Sequence, residues 1–164
     1  MASDGVSLVG LWFDGQKHYG STLSSEHEER TDLDIFTLTG RWLDIFFSGR
    51  QPAFTPPLRM RGSVFRRHVW EVLLTIPFGQ TMTYGEIARR IAEENCLPSM
   101  SAQAVGGAVG HNSLSLIIPC HRVVGADGAL TGYAGGIERK AWLLKMEGCR
   151  YYNDENNQIH IKPL

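Results

Sequence analysis

Cysteine is scarce in this chain, and the three that occur, Cys96, Cys120 and Cys149, stand far apart in 164 residues. An odd number so widely spread makes neither a disulfide framework nor a zinc pattern, and it suits a reducing cytoplasm. The six histidines lack the H-E-x-x-H spacing of a helical zinc site, so neither metal nor cofactor is expected. No apolar run nears the roughly 18 residues that span a bilayer. The opening MASDGVSLVG also lacks the basic-then-apolar order of a secretory signal. The expectation is a cytoplasmic protein without membrane contact. A phosphate loop is excluded as well, because no G-K-[ST] follows a strand.

Net charge is small too, at −1, which by itself argues against a polyanionic partner. Its distribution argues the other way. Residues 1–59 carry five Lys or Arg and eight Asp or Glu, whereas residues 60–150 carry ten and seven. Local patches, not totals, set the attraction to a phosphate backbone. The basic half opens with RMRGSVFRR, which places Arg59, Arg61, Arg66 and Arg67 within nine positions. A solvated helix face is the ordinary reading of such a cluster, and a nucleic-acid contact is the sharper one.

The chain is long enough for one ordinary domain or two small ones. VSLVGLWFDGQKHYGSTL reads as strand, turn at Asp14-Gly15, and second strand. Apolar residues from Leu33 to Phe47 fall at helical spacing, with Thr31 or Asp32 as the cap and Gly49 as the stop. SGRQPAFTPPLRMRG then reads as a linker. Ser63 can cap a helix whose apolar face is Phe65, Val69, Val72, Leu73 and Ile76, ended by Pro77. Thr83 and Glu86 form a capping box for YGEIARRIAEE, and Ser101 can cap AQAVGGAVG. The latter two helices suggest a helix-turn-helix with its second helix over 101–110. Gly106, Gly107 and Gly110 are poor helix formers, each costing about 1 kcal/mol against Ala. Close helix packing or close approach to a ligand would justify them. GADGALTGYAGG reads as a hairpin turn and a glycine-rich loop, and ERKAWLLKMEG as a last helix stopped at Gly148. The expected organisation is a domain over 1–61, a second over 62–150 and a tail over 151–164.

IIPCHRVV, residues 117–124, is the stretch with chemistry in it. A buried strand in which Cys120 merely packs is one reading. Pro119 weighs against it, since proline belongs at an edge or a bend. His121 and Arg122 also set a base and a permanent cation beside the sulfur. The stretch alone leaves both readings open.

IPFGQTMTYGEIA, AVGGAVGHN, IPCHRVVG and TGYAGG, in this order over about residues 62–148, resemble the O6-alkylguanine-DNA alkyltransferases, the methylated-DNA–protein-cysteine methyltransferases. The first 60 residues match only loosely. The resemblance implies an α+β protein: an N-terminal ribonuclease H-like α/β domain, then a mainly helical, winged helix-turn-helix-like domain that carries the activity. It implies irreversible, single-use transfer of an alkyl group from O6-alkylguanine, and from O4-alkylthymine, to Cys120. The partner implied is double-stranded DNA, entered through the minor groove by a monomer.

Residue by residue, the resemblance makes Cys120 the nucleophile and His121 its base, acting through a water because neighbours in sequence point apart. Glu147 would orient His121, and Asn112 would hold the active-site turn. Tyr84 would donate to guanine N3 and rotate the 3′ phosphate. Tyr133 would wall the pocket beside Gly135, the Ala134 amide would meet guanine O6, and the carbonyls of Cys120 and Val123 would accept from the exocyclic amine. Arg122 is read as structural. Gln103, Ala104, Gly106 and Gly107 would enter the groove, about 6 Å wide, while the damaged base is flipped out. Gln103 departs from the family, whose best-known members carry an arginine there to fill the gap in the stack. The zinc ligands that some members carry in their N-terminal part are absent. Three other readings stay in view: a non-catalytic alkyltransferase-like lesion binder, which would lack the cysteine of PCHR; a helix-turn-helix regulator; and a cysteine hydrolase, for which adjacent Cys and His make poor geometry.

Overall fold

Side-chain caps set where three of the five helices begin. In the structure, a computed structural model describing residues 1–156 and 158–161, helix α1 spans Asp34–Phe47, α2 Val64–Leu74, α3 Tyr84–Glu94, α4 Ala102–Gly110 and α5 Ile137–Met146. Ser63 accepts a hydrogen bond from the Arg66 amide, and Ser101 from the Ala104 amide. Thr83 and Glu86 cap each other's amides reciprocally. Each bond satisfies an N–H that the first turn leaves unpaired. Helix α1 departs from expectation: its cap is Leu33, with no side-chain bond, because Thr31 and Asp32 lie outside the helical turn and Asp32 pairs with Arg30.

Three two-stranded sheets complete a mixed α/β fold. Strand β1 (Ala2–Ser3) runs antiparallel to β2 (Leu8–Gly10). Strand β3 (Met82–Thr83) runs parallel to β4 (Val123–Val124). Strand β5 (Tyr151–Asn153) runs antiparallel to β6 (Ile159–Ile161).

The strand expected after the Asp14-Gly15 turn does not form. His18 and Gly20 both adopt positive φ, which breaks an extended run, and the Gln16 side chain is buried, accepting from the Phe13 amide and the Ser115 hydroxyl. IIPCHRVV is not one strand either. Pro119 leads into a single 3-10 turn, Cys120–Arg122, and only Val123 and Val124 are extended.

The tail folds back as the β5–β6 hairpin. Its Ile159 carbonyl accepts from the Leu130 amide, its Ile161 amide donates to the Gly128 carbonyl, and Ile161 packs with Val124, Leu130 and Leu144. A Cβ at Gly128 would sit 2.5 Å from the Ile161 carbonyl oxygen, so only glycine fits there. Residues 157 and 162–164 of the tail lie outside the described residues.

The main core draws on both halves of the chain: Leu8, Leu11, Ile35, Trp42 and Phe46 pack with Val69, Trp70, Ile87, Val105 and Ile118. Trp70 donates from Nε1 to the Ala108 carbonyl at 2.9 Å and so locks α2 to α4. Leu11 donates to the Ser113 carbonyl, bringing the N-terminal strand against the segment that leads to Cys120. Among the described residues no helix is long and apolar enough to cross a membrane.

Thr83→Ala removes one half of the reciprocal cap at α3. It should lower unfolding free energy by about 1 kcal/mol, read from urea denaturation. An unchanged midpoint would contradict the capping role.

Candidate active site

Asn112 organises the approach to the sulfur. It stands just past the end of α4, where the helix's last carbonyls need partners, and its side chain turns back on the chain that follows. Its Nδ2 donates to the Ile118 carbonyl at 2.9 Å and to Cys120 Sγ at 3.1 Å, and its Oδ1 accepts from the Leu114 amide at 2.9 Å. Leu116, at φ +71°, marks how tightly this segment is wound. Cys120 ends up 4% exposed. Burial pushes its thiol above the ordinary range. The Asn112 hydrogen bond, the charge of Lys140 and the amides of Cys120 and His121 pull it back in part.

Behind the sulfur lies a buried charge network. His121 Nε2 is 2.8 Å from Glu147 Oε1. Arg122 grips the same carboxylate with both prongs, Nε to Oε2 and Nη2 to Oε1, each at 2.9 Å, and its Nη1 donates to the Ile76 carbonyl at 2.7 Å. The Gly79 amide adds a fourth hydrogen bond at 3.1 Å. A Cβ at Gly79 would lie 2.7 Å from the Glu147 carbonyl oxygen, so this turn, at φ +74°, requires glycine. Burial alone would raise the Glu147 carboxyl; the hydrogen bonds from His121 and Arg122 overcome that and hold it at about 2. Burial pushes His121 down, outweighing the Glu147 carboxylate that favours imidazolium, with the charges of Arg122 and Lys140 acting in the same direction as burial. The ring is therefore neutral at physiological pH. Facing a carboxylate, Nε2 carries the proton, which leaves Nδ1 as the acceptor. Nδ1 is buried and has no partner among the described residues.

The loop 131–136 forms the other wall. Burial raises the Tyr133 and Tyr84 phenols above their usual range, and an ionised Cys120 adds to the rise. The Thr131 carbonyl accepts from Lys140 Nζ at 2.8 Å. Val123 is buried in β4, Ala134 is half-buried and Gly135 is buried. The N-terminal turn docks on this loop: the Lys17 amide donates to the Ala134 carbonyl at 3.1 Å, and Phe13 packs edge-on to Tyr133. Sequence reasoning missed both this contact and Lys140.

Helix α4 buries Val105, Ala108 and Val109 and exposes Gln103, Ala104, Gly107 and Gly110. A Cβ at Gly107 or Gly110 would meet nothing within 4 Å, so packing inside the protein does not explain these glycines. Gly106 faces the Tyr84 ring, with 3.8 Å to an added Cβ, which puts α4 beside the site. Cys120, His121, Asn112 and Glu147 thus come together, with Tyr84 and Tyr133 close enough to be electrostatically coupled to the sulfur. Gln103, Ala104 and Gly107 stand apart on the open helix face. The arginine cluster divides: Arg59 pairs with Asp4 at 2.8 Å and Arg61 donates to the Thr22 carbonyl. Among the described residues no group of three His, Cys, Asp or Glu side chains is placed to hold a metal ion.

A thiol bonded to an amide donor thus lies in the same stretch of chain as a carboxylate-anchored imidazole and an open small-residue helix, and that stretch matches known proteins. Residues 64–149 match the model of the 6-O-methylguanine DNA methyltransferase DNA-binding domain. A Mycobacterium bovis protein named methylated-DNA–protein-cysteine methyltransferase is 49% identical over 108 residues, 66% of this chain. That stretch is 62% of the relative, so the chain spans less than two thirds of its length. A Haemophilus influenzae protein of the same name is 35% identical over 150 residues, 91% of this chain and 79% of its own. The crystal structure of Mycobacterium tuberculosis OGT in complex with DNA superposes with a TM-score of 0.75 at 41% identity, over 89% of this chain and 83% of that one. The chain belongs to the 6-O-methylguanine DNA methyltransferase family.

The network has a measurable pH signature. Glu147 has a folded value of about 2 against an ordinary value near 4.5. The unfolded chain therefore binds more protons in that window, and stability is lost as pH falls through it. His121, also depressed, adds loss in the same direction from its ordinary value of 6.5 downward. Glu147→Gln should cost about 3 kcal/mol at neutral pH, by leaving buried cationic and donor groups unpaired. It should cost less near the acid end, where wild type has lost the charge as well. Urea midpoints at the two pH values check this; an equal cost at both would contradict it.

Proposed function

We propose that this protein repairs DNA by moving an alkyl group, methyl above all, from O6-alkylguanine in double-stranded DNA onto Cys120 Sγ, once per molecule. The observation that carries the reading is the linkage of Cys120 to Asn112 beside a neutral His121 anchored on Glu147. A buried thiol above its ordinary pKa is protonated at neutral pH, and thiolate is the competent nucleophile. A neutral imidazole with a free Nδ1 is the base that can take the proton, through a water.

The sulfur lone pair then forms the S–C bond as the C–O6 bond breaks and its electron pair passes to guanine. The guanine takes up one proton, so the net exchange is CH3 for the thiol hydrogen. Tyr84 donates toward N3 and the Ala134 amide toward O6. The carbonyls of Cys120 and Val123 accept from the exocyclic amine, and Tyr133 with Gly135 shapes the pocket. Activity, substrate and these roles rest on the family likeness together with the site geometry. A thioether is not undone by thiol–disulfide exchange, so the reaction ends with the protein spent. O4-alkylthymine is a second substrate of the same chemistry.

Helix α4 is the element read as entering the minor groove. Its open glycines let a backbone approach closely, and Gln103 fills the gap left by the flipped base by stacking or hydrogen bonding, without the charge of an arginine. We read 62–150 as the winged helix-turn-helix-like domain for DNA binding and transfer. Residues 1–61 are the ribonuclease H-like domain in reduced form, with one strand pair and one helix, and 151–164 is the tail. The protein acts as a monomer in the cytoplasm, needing neither metal nor cofactor.

Incubation with a duplex containing O6-methylguanine should add the mass of one CH2 per protein, on Cys120, and Cys120→Ser should abolish the gain. Binding of lesion DNA with no gain in mass would instead mark a non-catalytic lesion binder, and many turnovers per molecule would contradict single use.

A further inference from the structure

The β5–β6 hairpin follows the family-matched stretch 64–149 and has no part in the mechanism above. One titratable side chain ties it down. His160 in β6 is 5% exposed, and the Tyr152 ring of β5 stacks on it at 5.3 Å and 20°. Its Nε2 lies 3.1 Å from Asp154 Oδ2. Its Nδ1 lies 3.3 Å from the Asp127 carbonyl and 3.6 Å from Asp127 Oδ2. Each of these partners accepts hydrogen bonds and none donates. A neutral imidazole has one N–H and one bare lone pair, so it would aim that lone pair at an oxygen. The imidazolium has a donor on each side and satisfies both.

The two aspartates belong to different pieces of chain. Asp127 lies in the turn closed by the Gly128 amide on the Gly125 carbonyl. Asp154 opens the hairpin turn, where its Oδ1 accepts from the Asn156 and Gln158 amides. The histidine therefore joins the hairpin to residues 125–130, beside the Leu130 bond to the Ile159 carbonyl and the Ile161 bond to the Gly128 carbonyl. Leu130 leads directly into the 131–136 loop. We infer that His160, as imidazolium between Asp127 and Asp154, is a positioning residue for the transfer: it clamps the hairpin to residues 125–130, so holds the 131–136 loop, and releases both when the ring loses its proton. The effect on transfer rests on the alkyl-transfer reading and gives that site a dependence on pH.

The titratable and charged groups facing the ring are Asp127 from the turn, Asp154 from the hairpin turn and Tyr152 from β5. The side chains of β4 and α5 that pack with the hairpin, Val124, Ile137, Ala141 and Leu144, are apolar. Burial pulls the ring down, and the hydrogen bonds and charges of Asp154 and Asp127 more than reverse it, so His160 lies above the ordinary 6.5. Stability from such a group is complete below the ordinary value and is lost as pH rises through the folded one. The Glu147 network runs the other way and weakens toward acid. Loosening of the hairpin with rising pH is therefore distinct from global unfolding.

The test reads backbone amide exchange by NMR, as protection factors with intrinsic rates divided out, at about pH 5.5 and about pH 7.5. Both values lie below the Lys140 ammonium, lowered by burial to about 8, which holds the Thr131 carbonyl. In wild type the Leu130 and Ile161 amides should lose protection about tenfold at the upper pH, the scale of one charge-assisted hydrogen bond. The Gly136 amide, bonded to the Tyr133 carbonyl inside the loop, should follow in the same direction. His160→Gln should show the lower protection at both pH values. Asp154→Asn should show the higher at both, because its Nδ2 donates to the neutral ring while its Oδ1 keeps the turn amides. At the upper pH, transfer from an O6-methylguanine duplex should be about threefold faster in Asp154→Asn than in wild type, and at the lower pH the two should match. Unchanged protection of Leu130 and Ile161 in wild type, or the same fall in His160→Gln, overturns the inference. So does a fall that Gly136 does not share, or equal transfer rates at the upper pH. Amides that respond as expected in a protein that never transfers an alkyl group would support the clamp and refute the repair reading instead.

Discussion

The Glu147 carboxylate is the point on which the site is assembled, and its geometry explains why so many separate pieces of chain meet there. An ionised carboxylate in a protein interior costs several kcal/mol unless its lone pairs are matched. Here two oxygens receive the His121 ring, both prongs of Arg122 and the Gly79 amide. The donors come from two places, the 3-10 turn that carries Cys120 and the turn after α2, and they meet the carboxylate at the end of α5. Arg122 extends the tie to the Ile76 carbonyl at the close of α2. The network is structural in its stability and chemical in its effect, because the same bonds fix His121 as a neutral ring with its second nitrogen free.

On the other face of the sulfur, the forces oppose one another. Burial keeps Cys120 protonated, while Asn112 and Lys140 favour the anion. A thiol that were simply ionised and exposed would react with whatever alkylating agent it met. A buried one is shielded from reagents that cannot reach it. Placing the 131–136 loop depends on contacts far apart in sequence. Gln16 meets the Ser115 hydroxyl, and the Lys17 amide holds the Ala134 carbonyl, so the N-terminal turn is tied to the 131–136 loop.

What the sequence made legible follows from this division. Helices α2, α3 and α4 start where Ser63, Thr83 and Ser101 lead one to expect, because a cap is satisfied within three residues and needs no tertiary help. Asn112, Cys120, His121 and Glu147 were singled out through motif, and the structure bonds Asn112 to Cys120 and His121 to Glu147. Arg122, read as structural, bonds to Glu147 and to the Ile76 carbonyl. The strand after Asp14-Gly15 failed because the Gln16 side chain found partners some hundred residues away and His18 took a left-handed conformation. For IIPCHRVV the β-branched residues left a buried strand open as one reading, and Pro119, which weighed against it, leads into a 3-10 turn at the cysteine. Lys140 was invisible because a lysine in ERKAWLLK ordinarily points to solvent. Only the position of α5 against the Thr131 loop buries it.

The most direct test of the central claim separates chemistry from binding at Glu147. In single-turnover reactions with protein in excess over O6-methylguanine duplex, Glu147→Gln should slow transfer by about a hundredfold, the scale of lost acid–base assistance. Its affinity for the same duplex should stay within about twofold, since neither α4 nor its exposed face touches this carboxylate. Folded protein whose affinity fell tenfold while the transfer rate held would contradict the account. Glu147 would then serve DNA binding, and His121 would need no carboxylate to act.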